Sequence, residues 1–244
     1  MAIIVFIYAY EGMENNLKPS TWMGGYLVPS NPDLESNEEL ILVSHLGAAL
    51  WFLHFARRIL EVLFVAKFHR RGASLIEFLM VVAAYSLYAV VVAHTIRKDA
   101  FVVHPSLEKQ SSKIELRATR FIGLGVFLLG EVGNFYSHLQ LSWQRPPRGV
   151  TRWTRPENRS LNTAGGLFTY VTSAHYAYEM ISWVGYALVC RGAGGPLLVL
   201  GWSVVVLSYG AHRRHHAYRA YFDGSSSIRP VYPKHKYALI PYVF

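Results

Sequence analysis

Five apolar runs, at roughly 40–66, 75–96, 121–142, 166–190 and 196–212, reach or approach the ~20 helical residues needed to cross a hydrocarbon core. A segment inside a bilayer has no water to satisfy its backbone, so it must be a helix or part of a closed barrel. The strict alternation of a barrel strand is absent, and the expected class is an all-α integral membrane protein. The apolar run Met1 to Tyr10 offers a sixth helix. The expectation is therefore a bundle of about six (five to seven) transmembrane helices, with a polar pocket at the cytosolic side. No basic stretch precedes that first run and no small-residue cleavage site follows it, which argues against a cleaved signal peptide. Residues 1–39 read as a short membrane-associated segment and lumenal loop, and residues 40–244 as the main membrane domain.

Composition supports this reading: 52% of the residues are apolar and 14% aromatic, and the mean hydropathy is +0.21. The net charge of +9 is compatible with nucleic-acid binding, but the Lys and Arg residues fall in blocks between apolar runs, as in membrane proteins, so nucleic acid is not an expected partner. The one cysteine, Cys190, cannot form an intramolecular disulfide and reads as a small core residue. Basic residues cluster after the first long run (Lys67, Arg70, Arg71), after the third (Arg145, Arg148, Arg152, Arg155, Arg159) and in the tail (Arg213, Arg214, Arg219, Arg229, Lys234, Lys236). By the positive-inside rule all three connections are cytosolic.

An ionisable side chain inside a membrane is costly, and such residues pair, snorkel or serve a site. Arg57, Arg58 and Glu61 stand near the end of the first long run, at spacings that put Glu61 within reach of both arginines. Glu131, Asn134 and His138 lie toward the end of the third, with the last two one turn apart on one face. Tyr170, His175, Tyr176, Tyr178 and Glu179 occupy the first half of the fourth, which runs back from the same side. The fifth leads into His212, Arg213, Arg214, His215 and His216. Each group has a plain structural use: headgroup snorkelling for the arginines, interhelical bonding for Asn134 and His138, interface anchoring for the tyrosines. Those uses do not require polar residues from four helices to share one depth and one side.

Several chemistries lack their residues. There is no Gly-x-Gly-x-x-Gly fingerprint, no Walker loop and no His-Glu-x-x-His pattern, and only one His-rich cluster is present, so no metal is expected. What remains is an arginine-rich rim over a tyrosine-containing pocket, which suits a phosphate-bearing substrate or cofactor.

The stretch from Gly165 through Ser173-Ala-His-Tyr-Ala-Tyr-Glu179 to Leu188 resembles the C-terminal signature of the family of steroid 5α-reductases and very-long-chain trans-2-enoyl-CoA reductases. So does the tail, with His215-His-Ala-Tyr218, Tyr221-Phe-Asp223 and Tyr232-Pro-Lys-His-Lys-Tyr-Ala-Leu-Ile-Pro-Tyr-Val-Phe244, making 165–244 the signature region. Gly133-Asn-Phe135 with His138 fits a further block, and together these cover about half the chain. His54-Phe-Ala-Arg-Arg-Ile-Leu-Glu-Val-Leu-Phe-Val65 and Tyr176 are more similar to the enoyl-CoA reductases than to the steroid enzymes. His175 stands where both groups tend to carry asparagine.

The resemblance implies NADPH-dependent reduction of the 2,3 double bond of long-chain trans-2-enoyl-CoA in fatty acid elongation, at the endoplasmic reticulum membrane, with membrane lipid and other elongation enzymes as partners. It implies Tyr176, Glu61 and Glu179 as catalytic residues. Arg58, Asn134, His138, Arg145, Arg148, His175, Arg214, His215 and Tyr218 become cofactor contacts. The alternatives left open are reduction of a 3-oxo-4-ene steroid or a polyprenol, a membrane methyltransferase with similar C-terminal helices, and a lipid-binding protein derived from a reductase.

Overall fold

The structure, a computed structural model, describes residues 34–65, 86–92, 113–143, 166–191, 194–225 and 231–241. Among these there are four long helices and no strand: α1 (Leu34–Leu60), α2 (Lys113–Trp143), α3 (Ala174–Val189) and α4 (Gly194–Tyr221), with residues 86–92 also helical. The run Met1 to Tyr10 lies outside the described residues, as does the Arg145 to Arg159 loop. The helices outrun the apolar segments that announce them. α1 begins at Leu34 and α2 at Lys113, and α4 continues through the basic cluster to Tyr221. Hydropathy registers what a helix faces, whereas Arg, His, Ala and Tyr propagate its backbone well enough past the apolar part. The 166–190 run is different. Only its second part is α-helix; Gly166–Thr169 form a 3-10 turn, and Val171 pairs with Tyr237 in an isolated parallel bridge.

α1 is followed by a π turn, Glu61–Val65, so that Glu61 is the first residue past the regular ladder. α3 starts where the Ser173 carbonyl accepts the Tyr176 and Ala177 N–H groups, and ends near Arg191, whose φ of 56° is left-handed and stops the helix. Pro196 sits in the first turn of α4, where the missing N–H has no helical partner to lose. Among the described residues, α4 is the one helix both long and apolar enough to cross a membrane by composition.

The described chain divides into two compact units: Met1–Ala56, Ala73–Leu124 and Tyr186–Val199 in one, and Arg57–Gly72, Gly125–Gly185 and Leu200–Phe244 in the other. In the first, the buried Trp51 packs on Phe55 and Tyr186, at centroid distances of 4.8 and 6.0 Å, and Cys190 is a buried free thiol. In the second, α2 and α3 touch backbone to backbone. A Cβ added at Gly130 lands 2.4 Å from the Ser182 amide nitrogen and 2.7 Å from the Tyr178 carbonyl oxygen, and one at Gly133 strikes the Tyr178 ring. Small residues that let helices approach this closely are typical of membrane bundles. Gly→Ala in a helix ordinarily gains up to ~1 kcal/mol. At Gly130 the sign reverses, and Gly130→Ala is expected to cost about 1–3 kcal/mol because the clash is with backbone. Gly125→Ala, which meets nothing within 4 Å, keeps the ordinary gain. Thermal unfolding of both variants in detergent checks the pair.

The tail is strapped to the start of α3. Thr172 and Ser173 donate their amides to the carbonyls of Tyr237 (2.9 Å) and Ala238 (3.2 Å), and the Tyr237 amide returns to Tyr170 (2.9 Å). Ala238 and Leu239 are buried with Ala211 against Tyr176, Ala177 and Met180, which ties the tail to both α3 and α4.

Candidate functional site

The second unit gathers the polar side chains of all four long helices. Arg57 is its hub. Its Nε donates to Glu131 Oε2 at 2.5 Å, and its Nη1 donates to Asn134 Oδ1 at 3.0 Å and to Glu61 Oε1. Arg58 Nη1 reaches the other Glu61 oxygen at 2.6 Å and His138 Nε2 at 2.9 Å. Glu61, Glu131 and Asn134 are buried, Asn134 completely. Two guanidinium and two carboxylate charges cancel, which is the condition for holding charge in an apolar interior. One Arg57 atom, Nη2, is buried with no partner among the described residues.

Asn134 carries the network onward. Its Nδ2 donates to the His175 carbonyl at 2.7 Å, so both ends of the amide are engaged across helices. At the His175 imidazole, Arg214 Nη1 lies 2.6 Å from Nε2, and the Arg214 Cζ stands 4.7 Å from the centre of the Tyr176 ring. Guanidinium only donates, so both His175 and His138 must present an unprotonated Nε2 and carry their proton on Nδ1. The two imidazoles meet edge-on at 5.2 Å. Tyr176 lies along α4 beside Gly210, where an added Cβ would be 3.5 Å from its Oη. This puts a phenol under a fixed cation.

Below that pair Thr172 is a second junction. Its Oγ1 is 2.7 Å from His215 Nδ1, 2.7 Å from the Tyr232 hydroxyl and 3.1 Å from the Tyr237 carbonyl. The carbonyl can only accept, so Thr172 spends its single proton there, and His215 Nδ1 and the Tyr232 hydroxyl both donate to it. Tyr218 stacks on Tyr232 at 6.1 Å with 13° between the rings. Burial is the larger influence on the Tyr232 phenol and pushes its pKa above the ordinary value, against the opposing bond to Thr172. Burial also pulls the Lys236 ammonium below its usual range.

Of the residues expected from the sequence, Glu61, Arg58, Asn134, His138, His175, Tyr176, Arg214, His215 and Tyr218 belong to these linked groups. Glu179 is half-buried, three residues from Tyr176 on the same side of α3. Arg145 and Arg148 lie outside the described residues. Sequence reasoning set Arg57 and Glu131 among the polar residues at that side without giving them a role, and left Thr172 and Tyr232 off the site. Arg57 had a signal in its spacing of four from Glu61, but the partners of the other three are 43 to 74 residues away in sequence, and no periodicity reports them.

A model of the family described as 3-oxo-5-alpha-steroid 4-dehydrogenase matches residues 74–244. The chain belongs to this family. Within it the chain is similar to the very-long-chain enoyl-CoA reductase of Dictyostelium discoideum, 28% identical over 193 residues that cover 78% of this chain and 55% of that one. A probable very-long-chain enoyl-CoA reductase of Caenorhabditis elegans is 28% identical over 196 residues, 79% of this chain and 56% of that one. The 3-oxo-5-alpha-steroid 4-dehydrogenase 2 of Macaca fascicularis is 35% identical over 124 residues, 50% of this chain and 42% of that one. The chain thus spans about half the length of the curated relatives it matches. The matched region of the 3-oxo-5-alpha-steroid 4-dehydrogenase family contains Glu131, Asn134, Tyr176 and Arg214 but begins after Arg57, Arg58 and Glu61.

Proposed function

We propose that this chain is a membrane-bound, NADPH-dependent reductase of long-chain trans-2-enoyl-CoA, acting in fatty acid elongation at the cytosolic face of the endoplasmic reticulum. The observation that carries the reading is the Tyr176 phenol held against the Arg214 guanidinium at the junction of α3 and α4. The enoyl-CoA reductases among its relatives support the substrate class. In this reading about six helices span the membrane, residues 40–244 form the reductase domain, and the basic end of α4 lies on the cytosolic side, as the positive-inside bias requires.

The donor set fits a dinucleotide phosphate. Arg213, Arg214 and Arg219 are exposed near the end of α4, where no described carboxylate neutralises them, and guanidinium forks match phosphate oxygens. Arg214, His215, Tyr218, Arg145 and Arg148 would hold phosphates, with Arg58, Asn134, His138 and His175 lining the nicotinamide end. NADPH when bound supplies hydride to Cβ of the enoyl thioester. The single Tyr176 hydroxyl hydrogen serves as the proton that Cα takes or as the hydrogen bond to the thioester oxygen as negative charge develops there. The nearby Arg214 charge favours that donation. Glu179, on the same helical face as Tyr176, would orient the nicotinamide carboxamide, and Glu61 fixes Arg58 at the lining. The helices exclude water from the acyl chain.

The steroid relatives keep a second substrate in view, since one of them is 35% identical over 124 residues, half of this chain. Purified full chain should oxidise NADPH when trans-2-hexadecenoyl-CoA is added, and not without it. Oxidation with a 3-oxo-4-ene steroid alone would move the assignment to that substrate, and oxidation with neither would end the reductase reading.

A further inference from the structure

We infer that His175 is a positioning residue: through its imidazole Nε2 it holds the Arg214 guanidinium over the Tyr176 ring. The inference rests on the proposed role of Tyr176 and deepens it. Arg214 is exposed, and its long side chain has many rotamers to lose. Among the described residues no carboxylate pairs with it, and its one hydrogen-bond partner is His175 Nε2 at 2.6 Å. A cation–π contact at 4.7 Å to a half-buried ring is too weak alone to fix so long a side chain. The imidazole, by contrast, is well anchored. It is buried at 4% exposure and lies 4.3 Å from the Tyr176 ring and 5.2 Å from His138, and the backbone carbonyl of His175 accepts from Asn134 Nδ2 at 2.7 Å.

The chain of positions therefore runs from the buried Arg57–Glu61–Glu131 cluster through Asn134 to the His175 backbone, and from the His175 ring to Arg214 and Tyr176. Arg58 braces the same ring through His138. Reach is specific here. Nε2 of histidine lies farther from Cβ than the amide oxygen of asparagine, and glutamine extends its amide oxygen by one more bond. Asparagine is too short to make this contact. Glutamine retains an acceptor near the right distance.

Two measurements on the purified full chain test this. Nitrogen-15 imidazole NMR, with the His175 signal assigned by its loss in His175→Gln, should show an unprotonated Nε2 and a protonated Nδ1, and the signal should shift in Arg214→Met. A protonated Nε2 in the wild type would overturn the pair. In turnover with trans-2-hexadecenoyl-CoA, His175→Leu should lower kcat roughly a hundredfold, as misplacement of a catalytic group does. No further loss of kcat should follow when Arg214→Met is added to His175→Leu. His175→Gln should recover most of the activity and His175→Asn little. Independent, multiplying losses, or rescue by Asn rather than Gln, would overturn the positioning role. A wild-type NMR signature as expected in a protein that reduces neither enoyl-CoA nor steroid would leave the pair standing and remove the proposed function.

Discussion

Tyr176→Phe is expected to lower the turnover of trans-2-hexadecenoyl-CoA by about 10²- to 10⁴-fold, the range spanned by a single positioned proton donor, while folded yield and NADPH affinity stay close to wild type. The separation of effects comes from what the hydroxyl does and does not touch. Phenylalanine keeps the ring on which Arg214 rests and the contact with His175. It also keeps the apolar surface that packs on Ala211, Ala238 and Leu239. Only Oη is lost, and among the described residues no side chain or backbone group hydrogen-bonds it, so its removal strands no partner. A group with no structural bond, half-buried under a cation, is free to serve a ligand. The check is NADPH oxidation alongside thermal stabilisation by NADPH, the second confirming that the cofactor still binds. Turnover equal to wild type would take Tyr176 out of the chemistry.

The split between what could and could not be read in advance follows the range of the forces. Apolar run length pointed to helices, and spacings of three and four placed Glu61 against Arg57 and Arg58, as found. Asn134 and His138 on one face of α2 do point to a common neighbourhood, reaching Arg57 and Arg58 respectively. These are local regularities of a helix. Glu131 pairing with Arg57 across 74 residues, and Arg214 reaching His175 across 39, depend on which helices pack together. No single helix records that. The Gly130 and Gly133 pair was visible as letters, but its meaning requires Tyr178 and Ser182 opposite. The tail's strap to Thr172 and Ser173 consists of backbone bonds, which side-chain patterns do not report. Helix ends moved because helical propensity continues past the point where the apolar run stops.

Arg57→Met should be the most damaging single change to stability, at about 3–5 kcal/mol, enough to remove most of the stability of an ordinary domain. Arg57 is 15% exposed while its partners Glu61 and Glu131 are at 4% and 5%, so its loss takes a guanidinium from two buried carboxylates, of which Arg58 reaches Glu61. Asn134 Oδ1 loses its donor as well, and with it the tether that runs to the His175 backbone. Arg58→Met is expected to cost much less, because that side chain is 32% exposed and Glu61 keeps Arg57. The electrostatic account makes a further demand: Arg57→Met combined with Glu131→Gln restores neutrality, with Arg58 and Glu61 still paired, and should recover a large part of the loss. Thermal unfolding of the four proteins in detergent decides the matter. If the double variant is no more stable than Arg57→Met alone, packing of the arginine stem rather than charge balance holds the cluster. If Arg57→Met and Arg58→Met unfold together, Arg57 is not the hub of the network.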